Sequence, residues 1–204
     1  ASNEGSPLEK YIYKVDASGK KTKLSTEKGY NEAVFSNGCQ YYLNTYSNLT
    51  TPPVYTLCNA AGKTLQTVED NGQLKEMLAA LPLGTPEIIS VNTADGIQLN
   101  GWMVKPKNFD ASKKYPVLMY QYGGPGYQMV FNSFDNGFMG GLIWEQRLAQ
   151  KGYIVVCVDG RGTGGRGDEF KKCTYMKLGD LESHDQVETA LWLSKLPYVD
   201  KSRI

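Results

Sequence analysis

The stretch from Tyr115 to Gly167 constrains the fold more strongly than any other part of this chain. Its pattern predicts a strand, a glycine-rich loop, a helix, a second strand and a second glycine-rich loop, in the order Tyr115–Tyr122, Gly123–Gly126, Gly140–Gln150, Tyr153–Asp159 and Gly160–Gly167. Two strands joined by a helical crossover form a parallel βαβ unit, and ligands collect at the carboxyl ends of such strands. Both loops follow those ends, so the sequence predicts that they flank one crevice.

Upstream, residues 8–70 predict antiparallel strands only. A first hairpin is followed by four further strands, and the turns at 16–20, 36–38 and 59–63 contain glycine. The predicted strands are Tyr11–Val15, Lys21–Leu24, Ala33–Phe35, Gln40–Tyr46, Val54–Cys58 and Thr64–Val68. The Asn37-Gly38 pair favours a type I′ turn. Because a four-stranded meander of about forty residues has the repeat length of a propeller blade, the segment predicts the end of a β-propeller, about one blade.

A linker and an α/β domain are predicted next. Asn71–Leu81 has helical spacing, a hairpin follows about Asp95-Gly96, and Leu181–Leu193 predicts a helix with Asp180 as N-cap and an apolar face of Val187, Ala190, Leu191 and Trp192. The predicted divisions are a propeller region at 1–70, a linker at 71–86 and an α/β domain at 87–204. Two antiparallel strands before the βαβ unit are typical of α/β-hydrolases and of several other α/β folds.

Composition excludes several classes of function. The formal net charge is +1 and the basic residues are scattered, which argues against a nucleic-acid partner. No run of about 18 apolar residues is present to predict a membrane-spanning helix. Four cysteines without a CxxC pair, and a single histidine, predict neither a metal site nor a metal cofactor. Buried free thiols are the simplest interpretation, with a Cys39–Cys58 disulfide left open.

The first glycine-rich loop carries the most suggestive side chain. Tyr122 precedes Gly123, Gly124 and Pro125, and its phenol could donate a hydrogen bond to a developing oxyanion while the glycines let the backbone approach a ligand. The alternative is a tight turn with a tyrosine packed on it, because glycine turns end many α/β strands.

The second loop matches the dinucleotide-binding pattern G-x-G-x-x-G at Gly162–Gly167. Its context argues against a nucleotide cofactor, because the third glycine should open a long helix and Asp168–Leu178 is charged and irregular. Asp159 and Arg161 end a buried strand and could pair with each other or with loop backbone. The predicted solvent-exposed helix face carries the charged residues Glu182, His184, Asp185 and Glu188, so His184 is interpreted as a surface histidine.

Three runs of residues together resemble a known family. They are Tyr-Pro-Val-Leu-Met-Tyr-Gln-Tyr-Gly-Gly-Pro-Gly from Tyr115 to Gly126, Asp-Gly-Arg-Gly-Thr-Gly from Asp159 to Gly164, and Gly-Asp-Leu-Glu from Gly179 to Glu182 followed by Asp185-Gln186. In this order and separation they are similar to the dipeptidyl peptidase IV branch of the prolyl oligopeptidase family of serine peptidases. Val54–Leu57 and Val68–Asn71 resemble the end of that family's propeller, so the resemblance extends from about residue 8 to residue 204.

The resemblance implies an exopeptidase that releases Xaa-Pro or Xaa-Ala dipeptides from peptides with a free N-terminus, built from a propeller and an α/β-hydrolase domain. It assigns Tyr122 to the oxyanion hole and makes Gly123, Gly124, Pro125, Asp159 and Arg161 structural residues of the crevice, with Gln128 nearby. In the family, the serine lies in a Gly-Trp-Ser-Tyr-Gly-Gly elbow a few residues beyond the position of Ile204. The chain alone is therefore expected to be inactive, and no cofactor is implied.

Other expectations follow from the resemblance or remain as alternatives. The family's usual setting suggests an exported protein, periplasmic or attached to the cell surface if bacterial, and a homodimer for the full enzyme. An unpaired sheet edge beside Val117–Tyr122 predicts that the isolated chain self-associates. The alternatives are a non-catalytic peptide-binding scaffold and a nucleotide-binding α/β protein that uses Gly162–Gly167.

Overall fold

The computed structural model describes residues 1–134, 136 and 142–204. The chain divides into two compact units. The first unit comprises Ala1–Leu81 together with Phe131–Asn136, and the second comprises Pro82–Val130 and Gly137–Ile204. The predicted linker helix therefore groups with the first unit, and a short segment from within the predicted α/β domain also returns to it.

The first unit consists of two antiparallel sheets. A small hairpin is formed by β1 (Tyr13–Val15) and β2 (Lys21–Lys23), and a four-stranded sheet follows in the order β3 (Tyr30–Phe35), β4 (Tyr41–Asn48), β5 (Thr51–Asn59) and β6 (Thr64–Glu69). Sequential neighbours pair throughout, as predicted for a blade-like meander. The largest core side chain here is Tyr42, which packs with Ile12, Leu24 and Cys58.

The turn between β3 and β4 is not the predicted two-residue type I′ turn. Asn37–Cys39 form a 3-10 turn in which Gly38 has φ 73° and Cys39 has φ 53°. Ser36 closes the loop twice, because its N–H donates to the Tyr41 carbonyl and its hydroxyl accepts the Tyr41 N–H. The serine side chain thus stabilises a longer connection than the Asn-Gly pair alone would require.

Helix α1 (Gly72–Ala80) begins one residue later and ends one residue earlier than predicted. Asn71 precedes it in the left-handed conformation, with φ 54°, and its side-chain amide donates to the Pro53 carbonyl at 2.7 Å. The structure leaves Met77 exposed, so the helix buries less of its apolar face than its spacing predicts.

The second unit is built on a mixed four-stranded sheet in the order β7 (Glu87–Asn92), β8 (Gln98–Val104), β10 (Ile154–Asp159) and β9 (Val117–Met119). β7, β8 and β10 are antiparallel neighbours, whereas β9 and β10 are parallel and are connected through α2 (Ile143–Gln150). This arrangement confirms the predicted hairpin and βαβ unit. The predicted start of the helix at Gly140 lies outside the described residues.

Strand β9 is shorter than the predicted strand Tyr115–Tyr122. The Tyr120 N–H still donates to the Val156 carbonyl at 2.8 Å, but from Gln121 onward the backbone leaves the sheet for the glycine-rich loop. At its other end, Tyr115 pairs with residues 198–200. β10 is buried along its whole length, which explains its continuous apolar sequence.

Two further helices of the second unit follow β10: the short α3 (Asp168–Lys172) and the longer α4 (Asp180–Ser194). The predicted apolar face of α4 is wrong, because Val187 and Leu191 are half exposed while Asp185, Thr189 and Leu193 are buried. The buried positions recur every four residues, and a carboxylate occupies one of them because it is paired. The N-cap of α4 is Gly179 rather than the predicted Asp180. The Glu182 carboxylate accepts the N–H of Gly179 at 3.0 Å.

The four cysteines are free thiols. The structure therefore contains no disulfide between Cys39 and Cys58, which the sequence had left open. Cys58 and Cys157 are buried, whereas Cys39 and Cys173 are exposed. Among residues 1–134, 136 and 142–204, no helix is both long enough and apolar enough to cross a membrane.

Candidate active-site crevice

The two glycine-rich loops of the second unit lie against each other. The Gly126 N–H donates to the Gly162 carbonyl at 2.8 Å, and the Gly164 N–H donates to the Tyr127 carbonyl at 3.2 Å. Glycine is required at this junction, because a Cβ on Gly164 would lie 2.6 Å from the Gly126 oxygen. The loops therefore meet backbone to backbone at the carboxyl ends of β9 and β10.

Tyr122 stands at the exposed side of this junction, and 67% of its surface is accessible to solvent. Its ring lies over Gly124, where a Cβ would be 2.3 Å from Cε1 of the tyrosine. The ring also meets the ring of Tyr127, with a centroid separation of 4.8 Å. Gly123, with φ 71°, provides the left-handed backbone that turns the chain after the tyrosine.

A cavity of about 470 Å³ opens beside Tyr122, and its wall includes Gly123, Gly160, Arg161, Thr163, Gly179 and Gln186. The structure thus brings Tyr122, Gly123 and Arg161 to one crevice. Pro125 lies elsewhere, because with Gly126 it borders a separate cavity of about 730 Å³ that is also lined by Lys171, Tyr175 and Met176.

Asp159 lies behind the crevice wall, with only 6% of its surface exposed. Its carboxylate accepts the N–H of Met129 at 3.1 and 3.0 Å and the N–H of Val130 at 2.8 Å. Burial raises the pKa of Asp159 to about 6, although both backbone hydrogen bonds favour its charged form. Of the two partners that the sequence left open, loop backbone is the one observed for Asp159.

Arg161 pairs with other residues. Its Nη2 lies 2.6 Å from Oδ1 of Asp185, its backbone N–H donates to Oδ2 of Asp185 at 2.7 Å, and its Nη1 donates to Asp95 at 2.8 Å. These hydrogen bonds, with Asp185 first, raise the pKa of the guanidinium, which is permanently charged. Arg161 therefore joins the β7–β8 turn, the second loop and α4.

The prediction that Asp185 lies on a solvent-exposed face is wrong, because its side chain is fully buried. Burial is possible because the Arg161 guanidinium compensates the carboxylate charge. His184 is partly exposed, and its Nδ1 lies 3.1 Å from Nη2 of Arg161. Glu188 accepts the N–H of Ala94 at 2.8 Å, so this part of the predicted exposed face also carries structural contacts.

The loop Gly162–Gly167 lacks the geometry of a dinucleotide site. The helix that follows it, α3, has only five residues. Arg166 donates to the Gln98 carbonyl at 2.5 Å and stacks over Phe170 at 4.0 Å, where a pyrophosphate-binding loop needs open backbone. The glycines serve close packing, because a Cβ on Gly165 would lie 2.2 Å from Oε1 of Gln128.

Asp95 and Asp185, the two carboxylates that hold Arg161, are the structural residues that sequence reasoning missed. Asp185 had one usable signal: it begins the series Asp185, Thr189, Leu193 at helical spacing, which would have marked it as inward-facing. Asp95 had none, because a turn aspartate before glycine is common for local reasons.

Comparisons with known proteins identify the family and the overall fold. The family model described as "Prolyl oligopeptidase family" matches residues 142–204, and that described as "Dipeptidyl peptidase IV (DPP IV) N-terminal region" matches residues 1–53. The chain is similar to the crystal structure of Porphyromonas gingivalis dipeptidyl peptidase 4, with 48% identity and a TM-score of 0.92 over 99% of this chain and 28% of that chain.

Curated fungal proteins are similar over the same span. "Probable dipeptidyl-aminopeptidase B" of Arthroderma benhamiae is 35% identical over 98% of this chain, and that of Paracoccidioides lutzii is 38% identical over 100% of this chain. The chain spans only 22% of each of these relatives. The matches confirm the family resemblance and the order of a propeller-like region before an α/β portion. The chain therefore belongs to the dipeptidyl peptidase IV branch of the prolyl oligopeptidase family.

Proposed function

We propose that the full-length protein is a serine exopeptidase that releases Xaa-Pro and Xaa-Ala dipeptides from peptides with a free N-terminus. In this proposal the Tyr122 hydroxyl donates a hydrogen bond to the oxyanion that forms at the scissile carbonyl. The supporting observation is the exposed side chain of Tyr122, which contacts Gly124 and Tyr127 and lines a crevice at the β9–β10 strand ends. Family membership supplies the reaction class.

The geometry suits this role for a physical reason. An oxyanion donor acts best when it is already oriented, because no reorganisation is then needed as charge develops. The ring of Tyr122 contacts Gly124 and the ring of Tyr127, and the residue lines the open cavity. Arg161 is unsuited to the task, since its guanidinium is already used by Asp185 and Asp95.

The test is Tyr122→Phe in the full-length protein, assayed with a Gly-Pro reporter peptide. Removal of the hydroxyl should lower kcat by about 10²–10³-fold and leave KM nearly unchanged, because the bond is made mainly in the transition state. Tyr127→Phe is the matched control, since it removes a hydroxyl from the neighbouring ring and should retain kcat. An unchanged kcat in Tyr122→Phe would remove the tyrosine from the mechanism. Binding of the peptide without hydrolysis by the wild type would favour the scaffold alternative.

We further propose that the full-length enzyme is an exported homodimer, which rests on the family's usual setting. Light scattering of the purified full-length protein measures the mass, and cell fractionation measures the location. A monomeric mass at micromolar concentration, or recovery in the cytoplasm, would contradict the respective part of this proposal.

A further inference from the structure

The loop that carries Tyr122 is tied to one short segment of the second unit. The Tyr120 N–H bonds to Val156, the Gly126 N–H to Gly162, and the Tyr127 carbonyl to the Gly164 N–H. The last of these hydrogen-bonded anchors is the Asp159 carboxylate, which accepts the N–H groups of Met129 and Val130. All four anchors belong to the stretch from β10 to the second glycine loop, so the position of Tyr122 depends on this stretch.

The C-terminal anchor differs from the others, because it uses side chains. Asp159 receives the N–H of Met129, while the indole N–H of Trp102 donates to the Met129 carbonyl at 3.3 Å. The loop backbone is thus held from both faces at one residue. Gly123 and Gly126 both have positive φ, and glycine permits large backbone rotations, so the loop between its anchors can move if one anchor is lost.

A buried carboxylate is a costly anchor. Burial outweighs both hydrogen bonds in setting the proton affinity of Asp159, which means that its charged form is stabilised incompletely. A neutral side chain would fill the same place at lower cost. Proteins tolerate costly local arrangements mainly at functional sites. The side chain that this loop contributes to the crevice is Tyr122.

We propose that Asp159 is a positioning residue for peptide cleavage: by holding the backbone of Met129 and Val130, it fixes the loop that orients Tyr122. This inference rests on the proposed function. Asp159 does not touch substrate, since it is buried behind the loop. Its effect on the reaction passes through the tyrosine, and that dependence separates positioning from general stabilisation.

A double-mutant cycle in the full-length protein tests the dependence. Asp159→Ala should lower kcat by about 10- to 100-fold, because a misplacement of about 1 Å can cost that much. In a Tyr122→Phe background the same substitution should lower kcat by less than about twofold, since the group it positions is already absent. Equal losses in both backgrounds would overturn the proposal.

Asp159→Asn provides a graded variant that retains much of the geometry. Oδ2 of Asp159 lies 3.0 Å from the Met129 nitrogen and 2.8 Å from the Val130 nitrogen, so an amide oxygen at this place could accept both N–H groups. We expect a smaller loss of kcat than for alanine. Cys157→Ala is the matched control, because it truncates another buried side chain on the same face of β10 and should retain kcat.

Hydrogen exchange gives a readout independent of catalysis. In full-length Asp159→Ala, or in Asp159→Asn if the alanine variant does not fold, the amides of residues 121–130 should exchange about tenfold faster than in Cys157→Ala. Unchanged exchange in an active variant would overturn the positioning role alone. Absence of hydrolysis by the wild-type protein would overturn the proposed function and this role with it.

Discussion

The Tyr122 ring occupies the space that a Cβ on residue 124 would need, so we expect Gly124 to control the direction of this side chain. A methyl group there would lie 2.3 Å from Cε1 and 3.1 Å from Cζ, so the ring must swing away. We predict that Gly124→Ala lowers kcat of the full-length protein by about tenfold or more, with little change in KM. The free energy of unfolding should change by less than about 1 kcal/mol, since the displaced ring is exposed.

The control for this substitution is Gly72→Ala in α1. Its φ is not positive, and the nearest atom to an added Cβ is Oδ1 of Asp70 at 3.2 Å. Steady-state kinetics of the two variants measure the difference. Equal kcat values would show that the orientation of Tyr122 does not depend on Gly124.

Asp159 also predicts a dependence of stability on pH. Its folded-state pKa of about 6 exceeds the ordinary value of 3.8, so the folded chain retains a proton that the unfolded chain has released. The free energy of unfolding should therefore fall as pH rises from about 4 to about 6, by roughly 3 kcal/mol, and then stay level. Asp159→Asn should lose this part of the pH dependence.

Urea denaturation of the 204-residue chain at low concentration measures this effect. Tryptophan fluorescence is a suitable probe, because Trp102, Trp144 and Trp192 all belong to the second unit. The same pH profile in wild type and Asp159→Asn would contradict the prediction. Cys157→Ala, which retains the carboxylate, should keep the wild-type profile.

At this scale the sequence predicted residues whose chemistry is local, and missed those whose partners are distant. Tyr122 could be singled out from its immediate neighbours, because the two glycines that follow it allow an unusual backbone conformation. The burial of Asp185 depends on Arg161, which is 24 residues away in the chain. The helical spacing of Asp185, Thr189 and Leu193 marks an inward face, but nothing within α4 identifies the partner that compensates the charge, because another element supplies it.

At the scale of elements, α4 is fastened to the second loop by the Arg161–Asp185 pair. The Asp185 side chain is fully buried and the Arg161 side chain is only 12% exposed. We predict that Arg161→Met lowers the free energy of unfolding by about 3–5 kcal/mol, because it leaves a buried carboxylate without its counter-charge. Urea denaturation with tryptophan fluorescence again gives the measurement.

Arg203→Met is the control for this ion pair. Arg203 bonds to Asp200 at 2.6 Å, but its side chain is 57% exposed, so the loss should be under about 1 kcal/mol. Comparable losses in the two arginine variants would show that burial adds nothing to the Arg161 pair.

Strands β7, β8 and β10 follow the sequence prediction closely, because their apolar runs are bounded by turn residues. β9 does not, since only three of the eight predicted residues are in regular pairing. Aromatic residues continue to Tyr122, but only Tyr120 still bonds to β10, and Tyr122 belongs to the loop. The spacing of apolar residues in the sequence cannot distinguish a residue that pairs in the strand from one that belongs to the following loop.

For the molecule as a whole, we predict that the 204-residue chain alone hydrolyses no Gly-Pro reporter peptide. It contains no G-x-S-x-G sequence, so it has no serine presented in a nucleophile elbow. An oxyanion donor without a nucleophile forms no acyl-enzyme. Hydrolysis by the purified chain that a serine-directed inhibitor abolishes would contradict this.

The isolated chain is also expected to self-associate. The predicted unpaired edge is shorter than expected, since the Val117 N–H donates to the Arg203 carbonyl on the side of β9 away from β10. Val187 and Leu191, one helical turn apart on α4, are nevertheless 58% and 50% exposed. Light scattering should show a mass that rises with concentration, because burying this face is favourable.

A charge on this face should reverse the association. We expect Val187→Glu combined with Leu191→Glu to bring the mass toward that of a monomer. Met77→Glu in the first unit is the control, since it changes a residue of similar exposure elsewhere and should leave the association intact. A wild-type chain that is monomeric at every concentration would contradict the expectation.

The return of Phe131–Asn136 to the first unit has a consequence for synthesis on the ribosome. The hydroxyl of Ser47 bonds with Ser133, and the Leu49 N–H donates to Asn132, so this part of the early blade obtains partners made much later. Chains emerge at about 5–20 residues per second. The blade must therefore wait several seconds, while residues 82–130 of the second unit are synthesised, before its last contacts can form.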